Sequence, residues 1–482
     1  MSSSVSPISA SSSSSSGGPS APLSAAAVRR ARWAHKHRLH ARYKDEHNRD
    51  PNWFKHAKHI LICSWAGRPI YTRYGDESKL AAYMGVITAL ISNFQRLGDQ
   101  LKEVRAGQWK FVFLCKGPIY LIAISRTSES TPLLLHQLSY AYLQMVSVLT
   151  CSVTSILESK PSYDIRHLMQ GTEAMLNDLM EEADNSPFLM LDSIQVLRMQ
   201  KQLRTRIGSA LRRSGMKNLL FGLLIGAGKQ LIHIVRGKDR VLHPSDCLLL
   251  LNFLTNSLSL RSSEESWTPI CLPHFSNRGF LYAYICYLSD DLCLTLLTAD
   301  SNDFSHLRLA KTKIVESLVK RDALSDLQSH IDSKSYFIHL DEMDPELKGV
   351  FEVKHFLYRS DQHSQLIQCL PLAPYNQSKE NKHWLFRRYQ QVLQRIGATP
   401  GEIGETAAST GVNSGSQLVS SQKKHQFYYE CSDFANLFCI QRPGEYTLII
   451  CFACSMTDKL NVMNATQKIL KWIQKEAPNL FI

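Results

Sequence analysis

The chain has 482 residues, 44% hydrophobic and 20% charged, with a formal net charge of +13. That length fits roughly three globular domains, and no apolar run approaches the ~18 residues of a spanning helix, so the expected protein is soluble or peripheral. Its twelve cysteines lie mostly in apolar, strand-like runs without disulfide spacing, which points to a reducing compartment.

Thirteen of the first 25 residues are serine, and Arg29–Lys58 holds ten Lys or Arg against three acids. Residues 1–54 therefore read as a disordered Ser-rich and basic arm. Arg29, Arg30, Arg32, Lys36, Arg38 and Arg42 are its candidates for facing an anionic membrane. The Ser- and Ala-rich start also suits an organellar transit peptide.

The body repeats one order of elements three times. In the first copy, over 55–158, strands are expected at Lys58–Ser64 and Pro69–Tyr74, and a helix across Glu77–Leu97 with Leu80, Met84, Ile87 and Ile91 at helical spacing. Strands follow at Leu101–Ala106, Trp109–Cys115 and Ile119–Ser125, closed by a helix over Thr131–Leu157. Residues 159–216 read as a helical linker of two helices parted near Asn185-Ser186-Pro187.

The second copy, 217–332, starts with FGLLIG and QLIHIVR around Gly226–Lys229 and continues with a helix over Ser245–Leu260. Strands at Trp267–Leu272, Phe280–Leu288 and Leu292–Thr298 precede a long helix from Phe304. The third, 333–482, has HFLYR, QLIQCL, a helix over Glu380–Ile396, a Gly/Ser/Thr-rich flexible insertion at 397–422, three more strands and a helix over Asp458–Glu476. Such a pattern is an α+β sandwich, with helices covering a mostly antiparallel sheet.

Motifs for covalent chemistry are missing. Gly226-Ala227-Gly228-Lys229 has neither Walker nor dinucleotide spacing and reads as a hairpin turn. Cys451-x-x-Cys454 stands without a second cysteine or histidine pair and reads as core. No HExxH or GxSxG occurs, no cofactor or metal is implied, and the three copies lack the basic stripe of a nucleic-acid binder. Trp267, at the start of a strand, suits rim packing or a partner anchor.

AGRPIYTRYG (Ala66–Gly75), MGV (Met84–Val86), LHPSD (Leu242–Asp246), WTPICLPHF and GFLYAYICYL within Trp267–Leu288, HFLY (His355–Tyr358) and the terminal NLFI closely resemble the SAND family, the monensin-sensitivity vacuolar fusion proteins. The resemblance implies three longin-type domains, each a mostly antiparallel five-stranded sheet flanked by helices. It also implies a heterodimer with the calcium-caffeine-zinc-sensitivity protein. That pair is expected to act as guanine nucleotide exchange factor for a late-endosomal Rab GTPase, cytoplasmic and peripheral on endosome and vacuole or lysosome membranes; the expectation of anionic phosphoinositide membranes rests on the charge of the basic arm instead. On this reading the chain is not an enzyme by itself. Its GTPase- or partner-facing candidates are Trp267, Leu80 and Met84, the last two fitting the core equally well. The alternative is a longin-type tether binding SNAREs or coats. Trp65 departs from the pattern, because a small or charged residue is expected at that turn.

Overall fold

The computed structural model describes residues 43, 45–47, 49–213, 215, 218–238, 240–257, 260, 263–396, 426–455 and 458–482. Six of the candidates, Arg29, Arg30, Arg32, Lys36, Arg38 and Arg42, and the insertion 397–422 lie outside those residues.

The first unit consists of β1 (Lys58–Ser64), β2 (Pro69–Thr72), α1 (Ala81–Arg96), β3 (Glu103–Ala106), β4 (Trp109–Lys116), β5 (Ile119–Ser125), α2 (Thr131–Leu149) and α3 (Ser152–Ser159). Its antiparallel sheet runs β2-β1-β5-β4-β3. KHILICS is apolar without alternation because both its faces are covered. Ile60 and Ile62 pack on the α2 side, and Leu61 and Cys63 on the α1 side. Ser130 caps α2 by accepting from the Leu133 N–H. The single helix expected over Thr131–Leu157 is two: Thr150 takes a φ of 60°, and α3 leaves at 89° to α2. Trp53, expected in the arm, is buried against β1. It stacks on His59 at 3.8 Å, and its indole N–H donates to the Tyr74 carbonyl.

The expected helical linker holds α4 (Arg166–Met169), α5 (Glu173–Asn185), α6 (Pro187–Met190), a short β6 (Ile194–Gln195) and α7 (Lys201–Arg212). The second unit has β7 (Phe221–Ile225), β8 (Leu231–Arg236), α8 (Pro244–Asn256), β9 (Glu265–Leu272), β10 (Ser276–Ser289), β11 (Leu292–Thr298), α9 (Phe304–Val319) and α10 (Ala323–Asp332), with sheet order β8-β7-β11-β10-β9. Asp246 at the start of α8 accepts from the backbone N–H groups of His274 and Phe275, so LHPSD holds the PHF turn in place.

The third unit begins with α11 (Leu340–Met343) and α12 (Pro345–Gly349). It continues with β12 (Val353–Ser360), β13 (Gln365–Gln368), α13 (Lys379–Arg395), β14 (Gln426–Glu430), β15 (Asn436–Arg442), β16 (Tyr446–Phe452) and α14 (Lys459–Leu480). Its sheet has six strands, not the expected five, because β6 adds to β13 in parallel. One residue on, Val196 bridges Leu231 of β8, so the linker stitches the second and third sheets along one extended segment. The terminal NLFI closes the stitch. The Asn479 carbonyl accepts from Met199 N–H, and Ile482 N–H donates to the Gln365 side chain.

Helix α5 ties the first two units through ion pairs on its acidic residues. Lys229 in the β7–β8 turn pairs with Asp178 at 3.0 Å and Glu182 at 2.6 Å. On the other side, Lys58 and Arg73 pair with Asp184 at 2.5 and 2.8 Å. Lys229 of the rejected phosphate-loop motif thus crosslinks elements.

Buried histidines give the fold a pH dependence. Burial pushes His59 and His355 down to about 3, and both are almost fully enclosed. The unfolded chain accepts protons on these groups that the folded chain refuses, so stability falls as pH drops below the unfolded histidine value. The expected slope is about 1.4 kcal/mol per pH unit for each histidine between roughly pH 6.5 and 4. His136 works in the opposite direction: burial disfavours its charge, but Asp192 at 3.2 Å outweighs that and raises its pKa. Thermal unfolding followed at stepped pH is expected to show a net decrease in Tm on acidification; a flat profile contradicts this account.

Candidate interaction surface

Helix α1 is AAYMGVITALISNFQR, sixteen residues whose one charge is Arg96. A surface helix ordinarily alternates an apolar stripe with a charged one, and a helix apolar all round is normally covered all round. Here only one side is covered. Met84, Ile87, Thr88 and Ile91 face the sheet, together with Leu80 just before the helix. On the other side Ala82, Val86, Ala89, Leu90, Asn93 and Leu97 are exposed at the same helical spacing, Val86 to 70% and Leu97 to 75%.

Of the two readings open for Leu80 and Met84, core packing holds and the partner contact is corrected. Leu80 and Met84 are fully enclosed in the first unit's core and reach no partner. The 3.6-residue rhythm that singled them out marks the side turned to β1 and β5. The outward stripe had its own signal, the near absence of charge around the helix.

Trp267 is half-buried at the edge of the second sheet. It stacks on Tyr282 with centroids 5.6 Å apart and meets Phe304 of α9 edge-on at 5.8 Å. Its place is rim packing, on a different unit from α1, so the structure does not bring the three predicted residues together. Beside it Glu265 accepts from Lys311 at 3.0 Å, and that bond outweighs the opposing effect of burial and leaves its carboxyl below the usual range.

A second surface is cationic. Arg212 and Arg213 at the end of α7 are exposed, as are Arg236, Lys238 and Arg240 at the end of β8. Since α7 packs along β8, one end of the second unit gathers them. Of the rejected CxxC pair, Cys451 is core as expected, whereas Cys454 lies exposed beyond β16. Among the described residues, no group of three metal-ligating side chains occurs, and no single helix is long and apolar enough to cross a membrane.

Three mostly antiparallel sheets, each built on five strands with a helix between the second and third of these and another after the fifth, define a triple-longin chain. Models for the first, second and third longin domains of FUZ, MON1 and HPS1 match residues 58–179, 217–316 and 352–477. The chain is 34% identical to Protein SAND of Takifugu rubripes over 92% of its own length and 79% of that protein's. It is 31% identical to vacuolar fusion protein MON1 homolog A of Gallus gallus, over 89% of this chain and 73% of the relative. Identity to vacuolar fusion protein MON1 of Yarrowia lipolytica is 30%, over 88% and 74%. The chain belongs to the MON1/SAND family of vacuolar fusion proteins.

Proposed function

We propose that this chain is one subunit of a heterodimeric guanine nucleotide exchange factor for a late-endosomal Rab GTPase. Its partner is a second triple-longin chain, the calcium-caffeine-zinc-sensitivity protein, and it acts in endosome maturation and fusion with the vacuole or lysosome. Family membership supports this reading. The observation that carries it is the uncovered apolar side of α1 in the first unit, a surface suited to a partner's helix. Exchange needs no nucleophile or acid. A surface that binds the nucleotide-free GTPase better than the loaded form weakens nucleotide binding by the same factor. The exposed cations at the end of the second unit, with the basic arm, supply the anionic-membrane contact, at ~1 kcal/mol per residue near the surface.

Release of fluorescent GDP from the Rab tests the reading. The co-purified pair is expected to accelerate release by at least about tenfold and either chain alone to leave it unchanged. A stable pair that binds the Rab without accelerating release makes the chain a tether instead.

A further inference from the structure

We infer that Trp65 anchors the partner longin chain, extending the α1 surface across the β1–β2 turn. The inference rests on the heterodimer reading and adds the residue that makes the contact specific to this chain.

The stripe on α1 is too small by itself. Sixteen residues rise about 24 Å, and a band one helix wide is about 10 Å across. The resulting ~240 Å² is well under the ~800 Å² per partner of a stable interface. The interface must therefore spread onto flanking structure.

The β1–β2 turn flanks α1 directly. Leu61 and Cys63 of β1 pack on the α1 side, and Trp65 follows in the turn one residue past the strand. Gly67, at a φ of +75°, brings the turn onto the helix, and a Cβ there would lie 3.4 Å from the Gly85 Cα. Gly85 immediately precedes the exposed Val86. Glycine on both sides permits this close approach.

The turn is also held in shape. Ser64 N–H donates to the Arg68 carbonyl, Gly67 N–H to the Ser64 carbonyl, and Trp65 N–H to the Pro118 carbonyl of the β4–β5 turn. Yet the Trp65 side chain is 40% exposed and makes no ring contact among the described residues. A large aromatic on a fixed backbone loses little entropy when a partner covers it, which is the character of an interface anchor.

Isothermal titration of the full-length chain with its full-length longin partner tests this. Trp65→Ala is expected to weaken pairing by at least about tenfold and Trp65→Phe by less than about threefold. Phe434→Ala, which trims a still more exposed aromatic on the third unit, is expected to leave the affinity unchanged. Thermal unfolding of each variant alone is expected to match the wild type, which separates a lost contact from a lost fold. Pairing by Trp65→Ala within about twofold of wild type overturns the inference while leaving the heterodimer intact. Unchanged pairing with slowed GDP release moves Trp65 to the GTPase surface and overturns it as well. Failure of the wild-type chain to pair removes the heterodimer reading itself.

Discussion

Lys58→Met is expected to lower the stability of the folded chain by about 3–5 kcal/mol, read from the urea midpoint at unchanged slope. Lys58 is enclosed at the start of β1. Its ammonium donates to both Glu129 oxygens at 2.9 and 3.0 Å, donates to Gln137 at 2.8 Å, and pairs with Asp184 at 2.5 Å. Burial opposes the lysine's charge, but Asp184 and Glu129 outweigh it and raise its pKa. Burial likewise opposes the Asp184 carboxylate, and Lys58 and Arg73 hold it well below the usual range. The raised lysine keeps its contribution until pH climbs past its folded value. The depressed aspartate keeps its own above the unfolded value and loses it only in strong acid. Both are therefore in full force at neutral pH. Removing the ammonium leaves Glu129 enclosed with only Gln137 and Thr127 as donors among the described residues, whereas Asp184 keeps Arg73. Lys58→Met/Glu129→Gln is accordingly expected to recover part of the loss. If the double variant is no better than the single, the cost comes from the lost attraction and not from a stranded carboxylate.

The parts of this fold that can be read from sequence are those decided within a few residues. β1, β5 and β11 lie on the expected residues because each is an unbroken apolar run bounded by turn-forming residues. What escaped is decided by contacts far apart in the chain. The break at Thr150 depends on its left-handed backbone and on Cys151 bonding Asn277 of the second unit, neither signalled by local residue types. β6 exists because Gln365 and Leu366, some 170 positions on, pair with it. Trp53 looked like part of a charged arm because its burial depends on His59 and Tyr74, not on any periodic pattern around it. On α1 the periodicity was legible, but it marked the covered side. An apolar stripe found by spacing faces the chain's own core first, and a partner surface shows as the second stripe that remains.

That distinction makes the two sides of α1 separable by one substitution each. Val86→Asp is expected to leave the isolated chain folded, with a change of no more than about 0.5–1 kcal/mol from helix propensity, because the side chain points to water. In the pair the same carboxylate is trapped against an apolar partner surface. Burying a charge without a counter-charge costs several kcal/mol, so pairing is expected to weaken by at least about a hundredfold, and accelerated GDP release is lost with it. Met84→Asp, two residues earlier, puts its carboxylate between Leu61, Phe113 and Ile122 inside the first unit. It is expected to unfold that unit before any partner is met, seen as loss of the folded chain from the soluble fraction. Both substitutions introduce the same charge into the same helix, so a difference in outcome reports the side and not the chemistry. Normal pairing by Val86→Asp places the partner elsewhere on the chain. Normal folding by Met84→Asp contradicts the packing of α1 on the sheet.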